Sequence, residues 1–302
     1  MKSGYVSLIG RPNAGKSTLL NTMIGAKVAI VSDKPQTTRG RILGVKHYPD
    51  GQVVFVDTPG IHRPLHRMNV RMVDAAVETL REVDVVALIF DASTRPGQGD
   101  EFVSGLLGKT RAPVVLVLNK IDLVPKTKLL PLIERVQKWH DFKAIVPVSA
   151  QSGDGVERLE RVLLEQLPEG EALYPDDYLT DQPERTLVAE TVREKILHHT
   201  RAELPFSTAV VVDKFDEEER ERLLRLYCTI YVEHESQKAI VIGRGGEMIK
   251  RIGTEARHDL EDAFETKIFL DLRVKVNPDW RNDDRALDEL GVPRTTRKPK
   301  RR

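Results

Sequence analysis

The chain has 302 residues, enough for two domains, and its 40% hydrophobic content can fill two cores, which excludes wholesale disorder. Basic and acidic residues number 47 and 46 and cancel to a formal net charge of +1, so nucleic-acid affinity must come from a local patch rather than from a whole-molecule field. One cysteine excludes a disulfide framework, and no apolar run reaches the roughly 20 residues that span a bilayer. The start, "MKSGYVSLIG", enters a strand directly and leaves no room for a signal peptide, so the expectation is a soluble cytoplasmic protein.

Near-continuous apolar runs follow in order: "YVSLIG", "GQVVFVDTPG", "DVVALIFDAS", "PVVLVLNK" and "AIVPVSA". Such runs predict strands buried on both faces of a mostly parallel sheet. Between them lies helical spacing, as in Leu129, Leu132, Ile133 and Val136. The alternation predicts a doubly wound α/β domain over residues 1–172, with ligands at the carboxyl ends of its strands. Pro168, Pro175 and Pro183 then stand among acidic residues, and 173–185 reads as a linker. Over 186–290 the order changes to helix, two strands, a glycine-rich turn between helices and a last strand, an α+β pattern. Cys228 lies in the second of those strands and reads as a buried thiol. Residues 291–302, "GVPRTTRKPKRR", form a basic tail without periodicity, expected to be disordered.

"GRPNAGKS" comprises Gly10, Arg11, Pro12, Asn13, Ala14, Gly15, Lys16 and Ser17, with Thr18 next. It follows a predicted strand and opens a predicted helix, the context in which such a loop cradles phosphates. Lys16 can reach the β- and γ-phosphates and the Ser17 hydroxyl can ligate Mg²⁺. "DTPG" places Asp57 to hold Mg²⁺ through water, with Thr58 and Pro59 leading to a Gly60 N–H that can sense the γ-phosphate. In "NKID", Asp122 can accept from the N1–H and amine of guanine, Asn119 can bond base and loop, and the Lys120 stem can cover the purine. "VSAQSG" adds Ser149 and the Ala150 N–H, aimed at guanine O6. Four motifs in this order, each at a strand end, predict a site for GTP and GDP.

Between the phosphate loop and Asp57 lies "SDKPQTTRGRILG", where a switch segment belongs. Thr38 is the expected third Mg²⁺ ligand, with Thr37 as the alternative. His62 and His66 read as solvated switch residues rather than as a general base.

A second glycine stretch, "IVIGRGGEMIKRIG", fits neither nucleotide-loop pattern, because no lysine–serine pair follows its glycines and the spacing fails G-x-G-x-x-G. It does contain G-x-x-G, Gly243-Arg244-Gly245-Gly246, before an amphipathic helix. That pattern marks a KH module, whose loop clamps single-stranded RNA. Arg244, Lys250 and Arg251 supply charge, and Ile240, Ile242, Ile249 and Ile252 are expected to line an apolar base-binding groove.

The "PNAGKS" loop and the "TTR" switch resemble the TrmE–Era–EngA branch of GTPases. With the G-x-x-G segment, a type II KH element order and "NPDWRND" after the last strand, the chain resembles the Era family of bacterial GTPases from about Tyr5 to about Leu290. The resemblance implies GTP hydrolysis that is intrinsically slow, since Ile61 stands where many GTPases carry glutamine. Lys16, Asn13, Thr38 and Gly60 are then the residues at the reacting phosphate. Asn13 occupies the position of the asparagine that helps hold K⁺ in potassium-dependent members, so K⁺-stimulated turnover is expected. The family further implies a monomer that binds the 3′ region of 16S ribosomal RNA rather than DNA. It also implies service in assembly of the small (30S) ribosomal subunit and peripheral association with the inner face of the membrane. The tail from Arg294 to Arg302 departs from the family and reads either as an electrostatic contact to RNA or anionic lipid or as a solubilising end. A metabolic kinase is disfavoured because "NKID" selects guanine, and a purely structural RNA binder because the nucleotide motifs are intact.

Overall fold

A computed structural model describes residues 1–34, 37–61, 66–200, 204–218, 220, 222–290, 292 and 294; His62 and the tail beyond Arg294 lie outside the described residues. The chain forms two compact units that divide between Asp181 and Gln182.

The first unit runs β1 (Lys2–Gly10), α1 (Lys16–Ile24), β2 (Ile42–Tyr48), β3 (Gly51–Asp57), α2 (Arg67–Glu82), β4 (Val85–Asp91) and α3 (Gln98–Leu106). It continues with β5 (Val114–Asn119), α4 (Leu129–Val136), β6 (Ala144–Pro147) and α5 (Val156–Gln166). The sheet order is β2-β3-β1-β4-β5-β6, parallel except for β2, which pairs antiparallel with β3. The continuous apolar runs follow from burial on both faces. Val85, Ala87 and Ile89 of β4 face a core with Leu19, Leu20 and Met23 of α1 and Leu159 and Leu163 of α5. Val86, Leu88 and Phe90 face the other, with Ala76 and Leu80 of α2, Val103 of α3 and Val136 of α4. Each fully buried Val, Leu, Ile, Phe or Met side chain among them contributes about 1.5–3 kcal/mol.

Five strands were expected and a sixth is present. "ILGVKHY" lacks a continuous apolar run because Gly44, Lys46 and His47 interrupt it, yet it forms edge strand β2. Its free edge is covered by the segment expected as a linker. Val45 N donates to the Leu179 carbonyl (2.8 Å) and Thr180 Oγ1 to the Leu43 carbonyl (2.7 Å). Gln52 Oε1, on β3, accepts from Leu173 N (2.7 Å) and Tyr174 N (3.0 Å), and the Tyr174 and Tyr178 rings stack at 4.8 Å. Pro175 disfavours helix and strand here, and residues 173–181 instead satisfy an exposed sheet edge.

The second unit runs α6 (Glu184–His199), α7 (Leu204–Ser207), β7 (Ala209–Asp216), β8 (Leu224–Val232), α8 (Glu235–Ile242), α9 (Glu247–Phe264), β9 (Ile268–Val276) and α10 (Asp284–Glu289). β7 pairs antiparallel with β8, and β8 parallel with β9. Alternate β8 residues Leu224, Leu226, Cys228, Ile230 and Val232 meet Val188, Val192 and Ile196 of α6 and Ile252, Ala256 and Leu260 of α9. The "NPDWRND" segment locks the end of this unit. Trp280 is buried with Nε1 donating to the Ser207 carbonyl (3.1 Å), and Arg281 Nε donates to Glu233 (2.8 Å). Among the described residues, no helix is long and apolar enough to cross a membrane.

Candidate functional site

β1 ends at Gly10 and α1 begins at Lys16, so the five residues between form a turn whose N–H groups lie at a helix amino terminus. Gly15 has φ 89°, and a Cβ there would sit 2.2 Å from Asn119 Nδ2, so no other residue fits. Asn13 also takes the left-handed region, φ 63°, which asparagine tolerates better than most residues. Lys16 is buried, and its Nζ donates to the carbonyls of Gly10 (3.4 Å) and Arg11 (3.2 Å). Burial pushes its pKa down, opposed by the Asp57 carboxylate. Arg11 is held by Asp100, with Nη1 donating to Oδ2 at 2.8 Å; the same oxygen accepts from Gly97 N (3.0 Å) at the start of α3.

Three oxygen-bearing side chains converge beside the loop. Ser17 Oγ donates to Asp57 Oδ2 (2.7 Å), lies 2.8 Å from Thr38 Oγ1, and Thr38 Oγ1 donates to the same Oδ2 (3.2 Å). The Thr38 hydroxyl thus reaches both Ser17 and Asp57. Asp57 is fully buried, and its other oxygen, Oδ1, has no hydrogen-bond partner among the described residues. Burial pushes its pKa up, against the opposing pull of Lys16. A buried carboxylate with an unsatisfied oxygen, beside two hydroxyls and a single ammonium, fits a hard divalent cation such as Mg²⁺.

Beyond Asp57, Thr58 is buried with Oγ1 donating to the Leu8 carbonyl (2.9 Å), and Pro59 is buried. Gly60 lies against Pro12, whose Cα would be 2.8 Å from an added Cβ. Ile61 is 1% exposed, donates from its N–H to the Gly10 carbonyl (3.1 Å) and packs with Ala76 and Leu80. It is a core residue and presents nothing to water. His66 is half-buried and precedes α2.

At the end of β5, Asn119 Nδ2 donates to the Ala14 carbonyl (2.8 Å) and its Oδ1 accepts from Ala150 N (2.9 Å). The Ala150 N–H, expected to face a base carbonyl, is therefore engaged by Asn119. Lys120, at φ 64°, donates to Asp91 Oδ2 (2.6 Å) and passes its stem over Gly15. Asp122 is exposed in the turn Ile121–Leu123. Ser149 is buried, its N–H donating to the Asp154 carbonyl (2.8 Å). Thr22 Oγ1 donates to the Thr18 carbonyl (2.9 Å) and to the Ala150 carbonyl (2.7 Å), tying α1 to this loop. Asp91, Asp100 and Thr22 are supports that motif reading missed, since each lies outside the matched words.

In the second unit, α8 ends at Ile242 and Arg244–Gly246 form a tight turn before α9. Gly243, Gly245 and Gly246 all have positive φ, and a Cβ on Gly243 would meet Met248 N at 2.8 Å. Arg244, Lys250 and Arg251 are exposed. A groove of ≈ 510 Å³ opens between α9 and β9, lined by Ile249, Gly253, Leu270 and Leu272 with Lys250 and Arg257. The expectation for the four isoleucines needs correction. Ile249 lines the groove, but Ile252 is 0% exposed within the core, and Ile240 and Ile242 are not among the lining residues. Helical periodicity accounts for this: 249, 253 and 257 share one face of α9, whereas 252, 256 and 260 share the face on the sheet. The groove's second wall, on β9, was not foreseen.

Residues 5–120 match a family model described as 50S ribosome-binding GTPase, and residues 203–281 one described as KH domain. The chain is 51% identical over 290 residues to GTPase Era of Geotalea uraniireducens, covering 96% of this chain and 97% of that protein. It is 50% identical, with the same coverage, to GTPase Era of a Geobacter species. Two solved structures each superpose with a TM-score of 0.94 at 41% identity, covering 97% of this chain and 100% of theirs. One is an Aquifex aeolicus Era variant bound to GDP.AlF4⁻; the other is Era in complex with MgGDPNP and nucleotides 1506–1542 of 16S ribosomal RNA.

Proposed function

This chain belongs to the Era family of GTPases, and we propose that it is a guanine-nucleotide switch that grips the 3′ region of 16S ribosomal RNA and serves assembly of the small (30S) subunit. The reading rests on one observation: a single chain carries both the Ser17–Thr38–Asp57 cluster beside a phosphate loop and a basic-rimmed apolar groove beside a glycine turn. The 50S wording of one family model applies to residues 5–120 alone, whereas the full-length likeness is to Era.

Ser17, Thr38 and Asp57 would hold Mg²⁺, which when bound neutralises charge on the β- and γ-phosphate oxygens. Lys16 supplies a second positive charge to the same oxygens, and the Gly60 N–H donates to the γ-phosphate. Asn119 and Asp122 fix the base. Buried Ile61 stands where many GTPases carry glutamine and cannot orient water, so intrinsic turnover is slow. Exposed Asn13 would hold K⁺ beside the bridging oxygen and speed the reaction. The protein works as a monomer in the cytoplasm, with the inner face of the membrane as a second, peripheral location; DNA is not its partner.

The experiment compares turnover of GTP and ATP in K⁺ and in Na⁺ buffers, with and without a 16S 3′ oligonucleotide. Hydrolysis of GTP alone, faster in K⁺, is expected. Equal rates in the two salts overturn the K⁺ role, and turnover of ATP overturns the guanine site.

A further inference from the structure

Outward positions on β9 alternate with the core: 269, 271, 273 and 275 are Phe, Asp, Arg and Lys. Phe269 breaks that polar pattern. Its ring is 47% exposed, and β9 is the edge of the sheet. An exposed aromatic on an unpaired sheet edge is accessible to a partner. The residue also borders the groove between α9 and β9. On the outer face its ring meets Tyr227, with centroids 5.9 Å apart at 59°.

Charges of both signs surround it: Glu261 lies near Lys267 and Arg257, and Asp216 stands opposite Arg225 on β7. Arg225 stands directly opposite Phe269 in the strand register, and exposed Lys267 lies two residues before it. The next acid on this face, Asp271, is engaged by Arg273 Nε at 3.0 Å. Lys250 and Arg257 flank the groove itself. An exposed aromatic at the mouth of an apolar groove that Lys250 and Arg257 flank suits an unpaired nucleobase on a phosphate chain.

We infer that Phe269, supported by Tyr227, stacks the base of a single-stranded RNA where the strand leaves the α9–β9 groove and crosses the β9 edge. The subsite extends the groove, which holds about four nucleotides, by one base read through its π-face rather than through its hydrogen-bonding edge. It rests on the RNA-groove reading above.

The test uses the full chain and a single-stranded oligonucleotide of about ten nucleotides from the 16S 3′ end, scanned with one abasic site at a time. At one position beyond the groove, base removal is expected to weaken wild-type binding about tenfold while leaving Phe269→Ala, already weakened about tenfold, unchanged. Phe269→Leu should behave as Phe269→Ala, and Phe269→Trp should restore affinity. Loss in Phe269→Ala spread evenly over all abasic sites, or no loss at all, overturns the stacking subsite and leaves the ring to a protein partner. Insensitivity of wild-type binding to Gly245→Asp overturns the groove itself. A half-exposed ring contributes little to the fold, and melting curves within a few degrees of wild type confirm that the variants are folded.

Discussion

Asn119 Nδ2 and the Ala14 carbonyl are 2.8 Å apart, so a side chain at the end of β5 closes the back of the loop between β1 and α1. The same side chain accepts from Ala150 N at 2.9 Å, and one residue thus holds three loops in register. Asn119→Ala leaves a buried carbonyl and a buried N–H unsatisfied, at about 1–3 kcal/mol each. Affinity for GDP and GTP should fall together by one to two orders of magnitude, measured with a fluorescent guanine nucleotide.

Asp122 makes a separate prediction because its carboxylate is exposed and, in the proposed reading, accepts from the guanine base. Asp122→Asn replaces two acceptors with an amide that can donate to the second carbonyl of xanthine. Binding should shift from GTP toward XTP by more than about 100-fold in the ratio of Kd values. An unchanged ratio would remove guanine recognition from this residue.

The three-oxygen cluster separates two adjacent threonines. Thr38→Ala removes a hydroxyl that meets Ser17 and Asp57, so Mg²⁺ affinity in the presence of a GTP analogue should drop by about tenfold, a loss typical of one charge-assisted contact. GDP affinity should stay within about twofold, since a switch threonine adds its hydroxyl to Mg²⁺ only when the γ-phosphate is present. Thr37→Ala should leave both nearly unchanged. Titration of Mg²⁺ against each complex decides it.

The loop from Gly10 to Ser17, Asp57, and Asn119 to Asp122 stand out in the sequence because each group follows the end of one strand; Thr38, in the segment before β2, does not, and spacing left Thr37 as its alternative. What was not legible depends on pairings between distant segments. β2 hid behind Gly44, Lys46 and His47, and only its pairing with β3 makes it a strand. The cover over its edge comes from residues 173–181, which local pattern reads as a loose tether. Arg11 and Asp100 are 89 residues apart, and no motif joins them. In the second unit the glycine turn was plain, but Ile249 and Ile252 differ only in the face of α9 they occupy, and the β9 wall becomes visible only when helix and strand pack.

The glycines of the second turn differ in what they tolerate. Gly243 has φ 74° and ψ 174°, a region open almost solely to glycine, and lies against Met248 backbone. Gly245 has φ 60° with nothing within 4 Å of an added Cβ. Gly243→Ala should cost about 2–4 kcal/mol and lower the melting temperature of this unit by about 10 °C. Gly245→Ala should cost about 1 kcal/mol. Thermal denaturation followed by the far-ultraviolet signal ranks them.

Cys228 is buried in β8, and burial, with Asp213 and Asp271 adding to it, pushes its thiol up from 9.0 to about 12. The folded value lies above the unfolded one, so the contribution to stability is complete below about pH 8.5 and declines as pH rises toward 12. Stability relative to Cys228→Ala should therefore fall with rising pH across that window, by at most about 1.4 kcal/mol per pH unit. Iodoacetamide should label the folded protein at pH 8.5 far more slowly than the urea-unfolded chain. Rapid labelling of the folded form would place the thiol at the surface.

The most direct test of the whole account is the affinity of the GDPNP-bound chain for a single-stranded 16S 3′ oligonucleotide, compared between wild type and Gly245→Asp. The open space at Gly245 admits the aspartate at the modest cost of its left-handed backbone, while its charge opposes a phosphate chain held by the turn. The account predicts a loss of at least about tenfold in RNA affinity with GTP turnover unchanged, as expected for one like charge placed against the backbone. Equal RNA affinity in the two proteins would contradict it, because the nucleotide switch would then not be joined to an RNA clamp at this turn.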